Sequence, residues 1–145
     1  MPVPMLDLAP QNAAVKQAVL DGLAGLIDRS SFILGENVKG LETDLAAYAG
    51  ASFAVGMSSG TDAQLVALMA LGVGPGDEVI VPTFTFFATA GVVWRLGAKP
   101  VFVDLDPATF NANGALVEAA ITPRTKAIMP VHLFGQLAAM PAICA

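Results

Sequence analysis

Two short runs limit this chain more than anything else in it: Val79-Ile80-Val81 and Val101-Phe102-Val103. A strand with one face in water alternates apolar and polar residues, because successive side chains point to opposite faces. Runs without alternation need cover on both faces, the condition of strands in a largely parallel sheet with helices packed on either side. From about Phe53 onward such β-branched runs alternate with longer alanine- and leucine-rich ones, and turn residues separate them. That is the pattern of βαβ units, so the expected fold class is α/β with a mainly parallel sheet. A hydrophobic content of 55% against 13% charged residues, in 145 residues, fits one domain of ordinary size with a large covered core.

The pattern predicts strands over Phe53 to Ser58, Glu78 to Pro82, Pro100 to Asp104 and Lys126 to His132. Between them it predicts helices over Thr61 to Leu71, Phe87 to Leu96 (closed by Gly97) and Gly114 to Ile121, the last opened by Asn113. Another helix is expected to start at Ala138 and run to Ala145. Ahead of the sheet region, Val15, Val19, Leu23 and Leu26 mark one helix, and Val38, Leu41, Leu45 and Tyr48 share a face of a second that ends at Gly50. These two are expected to pack on the outside of the sheet or on a partner.

In parallel sheets of this kind ligands bind outside the carboxyl ends of the strands. Those ends collect Ser58 to Asp62, Thr83 to Phe87, Asp104 to Asp106 and His132. The first stretch, Ser58-Ser59-Gly60-Thr61-Asp62, offers main-chain N–H groups, a hydroxyl and the positive end of a helix dipole, all suited to a phosphate. Ser59 or Thr61 could equally be an ordinary helix cap. Asp62 suits the dipole but would repel a dianion if its carboxylate pointed inward, so a phosphate there would rely on main-chain donors. Neither GxGxxG nor GxxxxGK[ST] is present. The rings of Phe84, Phe86 and Phe87 follow a strand end, where a flat ligand could stack, and Phe84 and Phe87 are read as core. His132, the single histidine, reads as a hydrogen-bonded structural residue. With no second histidine and only the distant Cys144, no metal site is expected. A hydrolase triad through Ser59 lacks its GxSxG context. Asp106-Pro107, followed by Thr109 and Asn111, reads as a turn.

A net charge of -5, with the seven basic residues scattered, argues against a phosphate-backbone partner, so no nucleic acid is expected. Val79 to Trp94 is shorter than the ~20 residues of a membrane span and is broken by Pro82, so no membrane partner is expected. Met1-Pro2-Val3-Pro4-Met5-Leu6-Asp7 has no basic region before an apolar block, hence no visible secretory signal. A single cysteine permits no internal disulfide and fits the cytoplasm.

Taken in order, "SSGTDAQLVALMALGVGPGDEVIVPTFTFFATA", "GAKPVFVDLDPATFN" and "AITPRTKAIMPVHLFGQ" resemble the DegT/DnrJ/EryC1/StrS family of pyridoxal-phosphate-dependent sugar aminotransferases. Upstream, "FILGENVKGLETDLAAYAG" matches as well, with Gly35, Glu42, Tyr48 and Gly50 in family places. The resemblance implies the type I fold of pyridoxal-phosphate enzymes, working as a homodimer with active sites at the subunit interface. Residues 1–145 would be the N-terminal helices and the first part of the cofactor-binding large domain. The rest of that domain and the small C-terminal domain would lie outside this chain. The implied activity is transfer of an amino group from an amino acid, with glutamate the expected donor, to a keto group of a nucleotide-linked sugar.

By the same resemblance Gly60, Thr61 and Asp62 would hold the phosphate of pyridoxal 5'-phosphate. Phe86 would stack on its ring, and His132 would be an active-site neighbour, with Phe134 in place of the usual tyrosine. The aspartate that pairs with the ring nitrogen and the lysine that carries the cofactor are implied beyond Ala145. Lys16, Lys39, Lys99 and Lys126 match none of those positions, so no catalytic residue is assigned here. The stop within an expected helix suggests a piece of a longer enzyme. A sugar dehydratase of the same fold, with histidine for the lysine, and a noncatalytic phosphate-binding or dimerisation module are the alternatives.

Overall fold

The computed structural model describes residues 3–145, so Met1 and Pro2, which open the stretch read for a leader, lie outside the described residues. The chain divides into two compact units, Met1–Gly56 and Met57–Ala145. The first holds α1 (Ala9–Arg29) and α2 (Glu36–Ala49). Pro10 sits in the first turn of α1, where its missing N–H removes no helical bond. Gly50 closes α2 at φ 64°, a left-handed conformation that glycine takes without steric cost, as the sequence predicts. Neither helix contains a buried residue, and Val15, Val19 and Leu23 along the predicted face of α1 are exposed. No helix among the described residues is long and apolar enough to cross a membrane.

The second unit carries α3 (Gly60–Ala70), β1 (Glu78–Pro82), α4 (Ala88–Arg95), β2 (Lys99–Val103), α5 (Gly114–Ala120), β3 (Thr125–Ile128) and α6 (Met140–Ile143). The three strands are parallel in the order β2-β1-β3, so β1 is central. All five of its residues are buried. Val79 and Val81 pack with Leu68, Val92 and Val93 of α3 and α4. Ile80 points the other way, into a cluster with Val103, Ala112 and Val117 of the β2–α5 side. The unbroken apolar run thus has its expected cause: each face of β1 meets its own helical layer. Each such side chain contributes about 1.5–3 kcal/mol on burial.

Three expectations need correction. Phe53 to Ser58 is not a strand: none of β1–β3 pairs with it, and Gly56 N–H donates instead to the Glu42 carboxylate at 2.7 Å. Phe53 and Val55 are exposed accordingly. The strand expected over Lys126 to His132 covers only Thr125–Ile128; Met129 N–H still bonds Ile80 O (2.9 Å), but Pro130 has no N–H to continue the ladder. The helix expected from Ala138 shrinks to Met140–Ile143, because a proline is accepted only in a first helical turn and Pro141 therefore fixes where the helix can begin.

Glu78 ties the amino edge of the sheet together. Its side chain is 2% exposed, yet its carboxylate is fully engaged. Thr122 Oγ1 donates to Oε2 at 2.6 Å, Arg124 Nη2 donates to Oε1 at 2.7 Å, and Lys99 Nζ stands at 3.2 Å from Oε1. One carboxylate therefore joins β1 to the first residue of β2 and to the turn that leads into β3. The hydroxyl of Thr122 first, and then Arg124, hold its pKa at about 2, down from the ordinary 4.5. The unfolded chain therefore takes up this proton at a higher pH than the folded chain does. The stabilisation is complete above about pH 4.5 and lost as the pH falls towards 2. Thermal unfolding followed across that window should show a steep acid loss in the wild type and a shallower one in Glu78→Gln, which should also be less stable at neutral pH.

Candidate functional site

The geometry of the site begins with the cap of α3. Ser59 is extended (φ -159°), and its hydroxyl accepts the N–H of Asp62 at 3.1 Å. Ser59, not Thr61, is therefore the cap. The same hydroxyl donates to Asp62 Oδ2 at 3.1 Å, and Ser58 Oγ donates to that oxygen at 2.5 Å. The two serines, Ser58 foremost, hold the Asp62 carboxyl below the usual carboxylate range. The carboxylate is thus ionised and turned to the serine hydroxyls.

This leaves the helix start open for a ligand. Asp62 N–H is capped and Ala63 N–H bonds Ser59 O (2.9 Å), while the N–H groups of Gly60 and Thr61 take no partner among the described residues. A Cβ added at Gly60 would meet nothing within 4 Å. No packing within the described residues requires glycine there, and the space above its backbone is free.

Thr61 and Phe86 meet in one cavity of about 420 Å³, with Phe87, Gly91, Trp94 and Arg95 among its walls. The loop between β1 and α4 delivers Phe86, which is 74% exposed. Phe84 and Phe87, read from the sequence as core, are exposed too, Phe87 at 83%. The reason is that α4 begins only at Ala88 and turns Ala88, Thr89, Val92 and Val93 inward, so the preceding rings fall outside the buried stripe. Phe87 lies instead across Gly91, where an added Cβ would come within 3.0 Å of the ring. Phe84 pairs with Phe110, ring centroids 6.4 Å apart.

His132 stands apart from this cavity. Its Nδ1 accepts the N–H of Ala138 at 3.1 Å, which puts the ring proton on Nε2 and closes a loop over the intervening residues. Asn111, 4% exposed, steadies the same loop by donating from Nδ2 to the carbonyls of Gln136 (3.2 Å) and Leu137 (3.3 Å). Asp106 Oδ1 accepts the N–H groups of Ala108 (2.8 Å) and Thr109 (3.0 Å), the turn that the sequence suggests. The structure therefore brings Gly60, Thr61, Asp62 and Phe86 to one corner of the second unit and leaves His132 on another loop.

Trp94 and Arg95 were not legible as wall residues. Their signal was available only as a stripe: Phe87, Gly91 and Trp94 or Arg95 recur at helical spacing, and that stripe gains meaning once α3 and α4 are known to be neighbours.

The family profile of the DegT/DnrJ/EryC1/StrS aminotransferases matches residues 14–145. The chain belongs to this family. It is 57% identical over its whole length to a "pleiotropic regulatory protein" of Geobacillus stearothermophilus. Over 99% of its length it is 52% identical to a UDP-N-acetyl-3-dehydro-alpha-D-glucosamine 3-aminotransferase of Acidithiobacillus ferrooxidans. It spans 39% of the length of each of these relatives. Among solved structures, Streptomyces venezuelae DesV in complex with a ketimine intermediate superposes on 98% of the chain with a TM-score of 0.94 at 42% identity, the chain covering 38% of it. Bacillus subtilis NtdA with bound cofactor PMP gives 0.91 at 38% identity, over 97% of this chain and 33% of that one. The α/β fold with a parallel sheet is shared with these family members.

The cap gives a direct test. Ser59→Ala removes the acceptor for Asp62 N–H and should cost about 1 kcal/mol in chemical denaturation. The Asp62 carboxyl, having lost one of its two donors, should titrate at higher pH by NMR; an unmoved titration would refute the described bonding.

Proposed function

We propose that this chain is the cofactor-phosphate and ring-stacking part of an aminotransferase that uses pyridoxal 5'-phosphate. The enzyme moves an amino group from an amino acid, glutamate foremost, to a keto group of a nucleotide-linked sugar. The observation that carries the reading is the cavity in which Thr61, at the start of α3, faces the exposed ring of Phe86. A phosphate fits the unpartnered N–H groups of Gly60 and Thr61 at the positive end of an 11-residue helix. A flat heteroaromatic ring fits the face of Phe86. The names of the relatives, an aminotransferase acting on a UDP-linked keto sugar among them, support the substrate class. The PMP complex of a family member supports the cofactor.

In this reading each residue has a limited task. Gly60 lets the phosphate approach the backbone closely, Thr61 donates its N–H and hydroxyl, and Asp62 strengthens the helix start while its carboxylate stays with Ser58 and Ser59. Phe86 fixes the plane of the ring. When bound, the cofactor supplies the electron sink that amino transfer requires. We further take the protein to act as a homodimer in the cytoplasm; the exposed apolar faces of α1 and α2 support the first, and the single exposed cysteine is compatible with the second. His132, with Nε2–H available as a donor, is read as a neighbour of the active site.

Two measurements test this. In the purified native protein, glutamate should convert bound pyridoxal phosphate to the pyridoxamine form, and a UDP-linked keto sugar should restore it with gain of an amino group. Loss of water from the sugar without consumption of amino donor would point to a dehydratase instead. Separately, Phe86→Ala should weaken cofactor binding by roughly three- to tenfold, the worth of one aromatic stack. Thr61→Pro, which removes a donor at a helix position that tolerates proline, should weaken it as well. Unchanged affinity in both variants would refute the assignment.

A further inference from the structure

We propose that Arg95 anchors the phosphate of the cofactor, supplying a full positive charge that the start of α3 cannot provide. The inference rests on the cofactor reading above and concerns a residue that reading leaves unused. Among the residues lining the cavity with Thr61 and Phe86, Arg95 alone is charged.

A helix N-terminus is equivalent to roughly half an elementary charge. A phosphate monoester carries about -1.5 to -2 near neutral pH. Asp62, held ionised by two serine hydroxyls at the same helix start, adds a further negative charge beside it. Among the described residues, the start of α3 therefore offers less positive charge than a phosphate there would carry negative. Arg124 and Lys99 cannot serve: both are engaged with Glu78 at the amino edge of the sheet.

Arg95 meets the requirement. It takes part in no ion pair among the described residues. It lies in the last turn of α4, which packs against α3, and after the hydroxyls of Ser58 and Ser59 its charge adds a smaller pull that lowers the Asp62 carboxyl. A guanidinium also presents paired N–H donors that match two phosphate oxygens, which an ammonium cannot do. A solvated arginine at a helix C-terminus would also suit the dipole, but that role has no dependence on a phosphate.

The experiment separates the two roles by comparing ligands that differ only in the phosphate. Trp94, the one tryptophan within residues 1–145, lines the same cavity, so the part of the emission change that is lost in Trp94→Phe reports occupancy. Dissociation constants for pyridoxamine phosphate and for pyridoxamine are measured with the native protein, Arg95→Met and Arg95→Lys. Arg95→Met should bind pyridoxamine phosphate about tenfold more weakly while binding pyridoxamine as before, as loss of one charge-assisted contact implies. Arg95→Lys should recover part of the preference. If Arg95→Met keeps the native preference for the phosphate form, or weakens both ligands alike, the inference is overturned and the cofactor reading stands. If the native protein binds neither compound, both fall together.

Discussion

The structure depends on β1 being enclosed from four directions. Two parallel strands flank it, a helical layer covers each face, and all five of its residues are buried. Burial of Val79, Ile80 and Val81 supplies apolar driving force, but the same enclosure traps the carboxylate of Glu78. A buried charge is tolerated only when paired and hydrogen-bonded. Thr122, Arg124 and Lys99 satisfy it, and in doing so they register the starts of the neighbouring strands against β1. The amino edge of the sheet is thus closed by electrostatics and hydrogen bonding, which leaves the carboxyl edge for loops.

At the other edge the chemistry inverts. Here polar groups are left without partners and aromatic rings without cover: the N–H groups of Gly60 and Thr61, and the faces of Phe84, Phe86 and Phe87. Asp62 shows how the chain manages a carboxylate at a site suited to anions. Ser58 and Ser59 engage it, so that it adds to the helix start without occupying the open donors. Arg95 lines the cavity beside this corner, where we propose that it offsets the charge of a bound phosphate.

Much of the fold was legible because its signals are local. The β1 and β2 runs, the helix opened by Asn113, the end of α2 at Gly50 and the Asp106 turn each follow from steric or capping rules acting within a few residues. Phe53 to Ser58 misled because β-branched and aromatic residues signal the capacity for a strand, whereas a strand exists only beside a partner, and none of β1–β3 pairs with this stretch. Phe84 and Phe87 misled for a related reason. Hydrophobicity marks what can be buried, and the start of α4 at Ala88 decided which residues were.

The sequence by itself determined the parallel α/β class, the capped start of α3 and membership of the family, since apolar periodicity, capping residues and ordered motifs are properties of neighbours along the chain. Only the tertiary structure decided the strand order β2-β1-β3, the convergence of two cations and one hydroxyl on Glu78, and the cavity that sets Thr61 against Phe86, Trp94 and Arg95. These join residues far apart in the chain. Their meeting is fixed by how helices close over a sheet, a packing outcome that no local rule encodes.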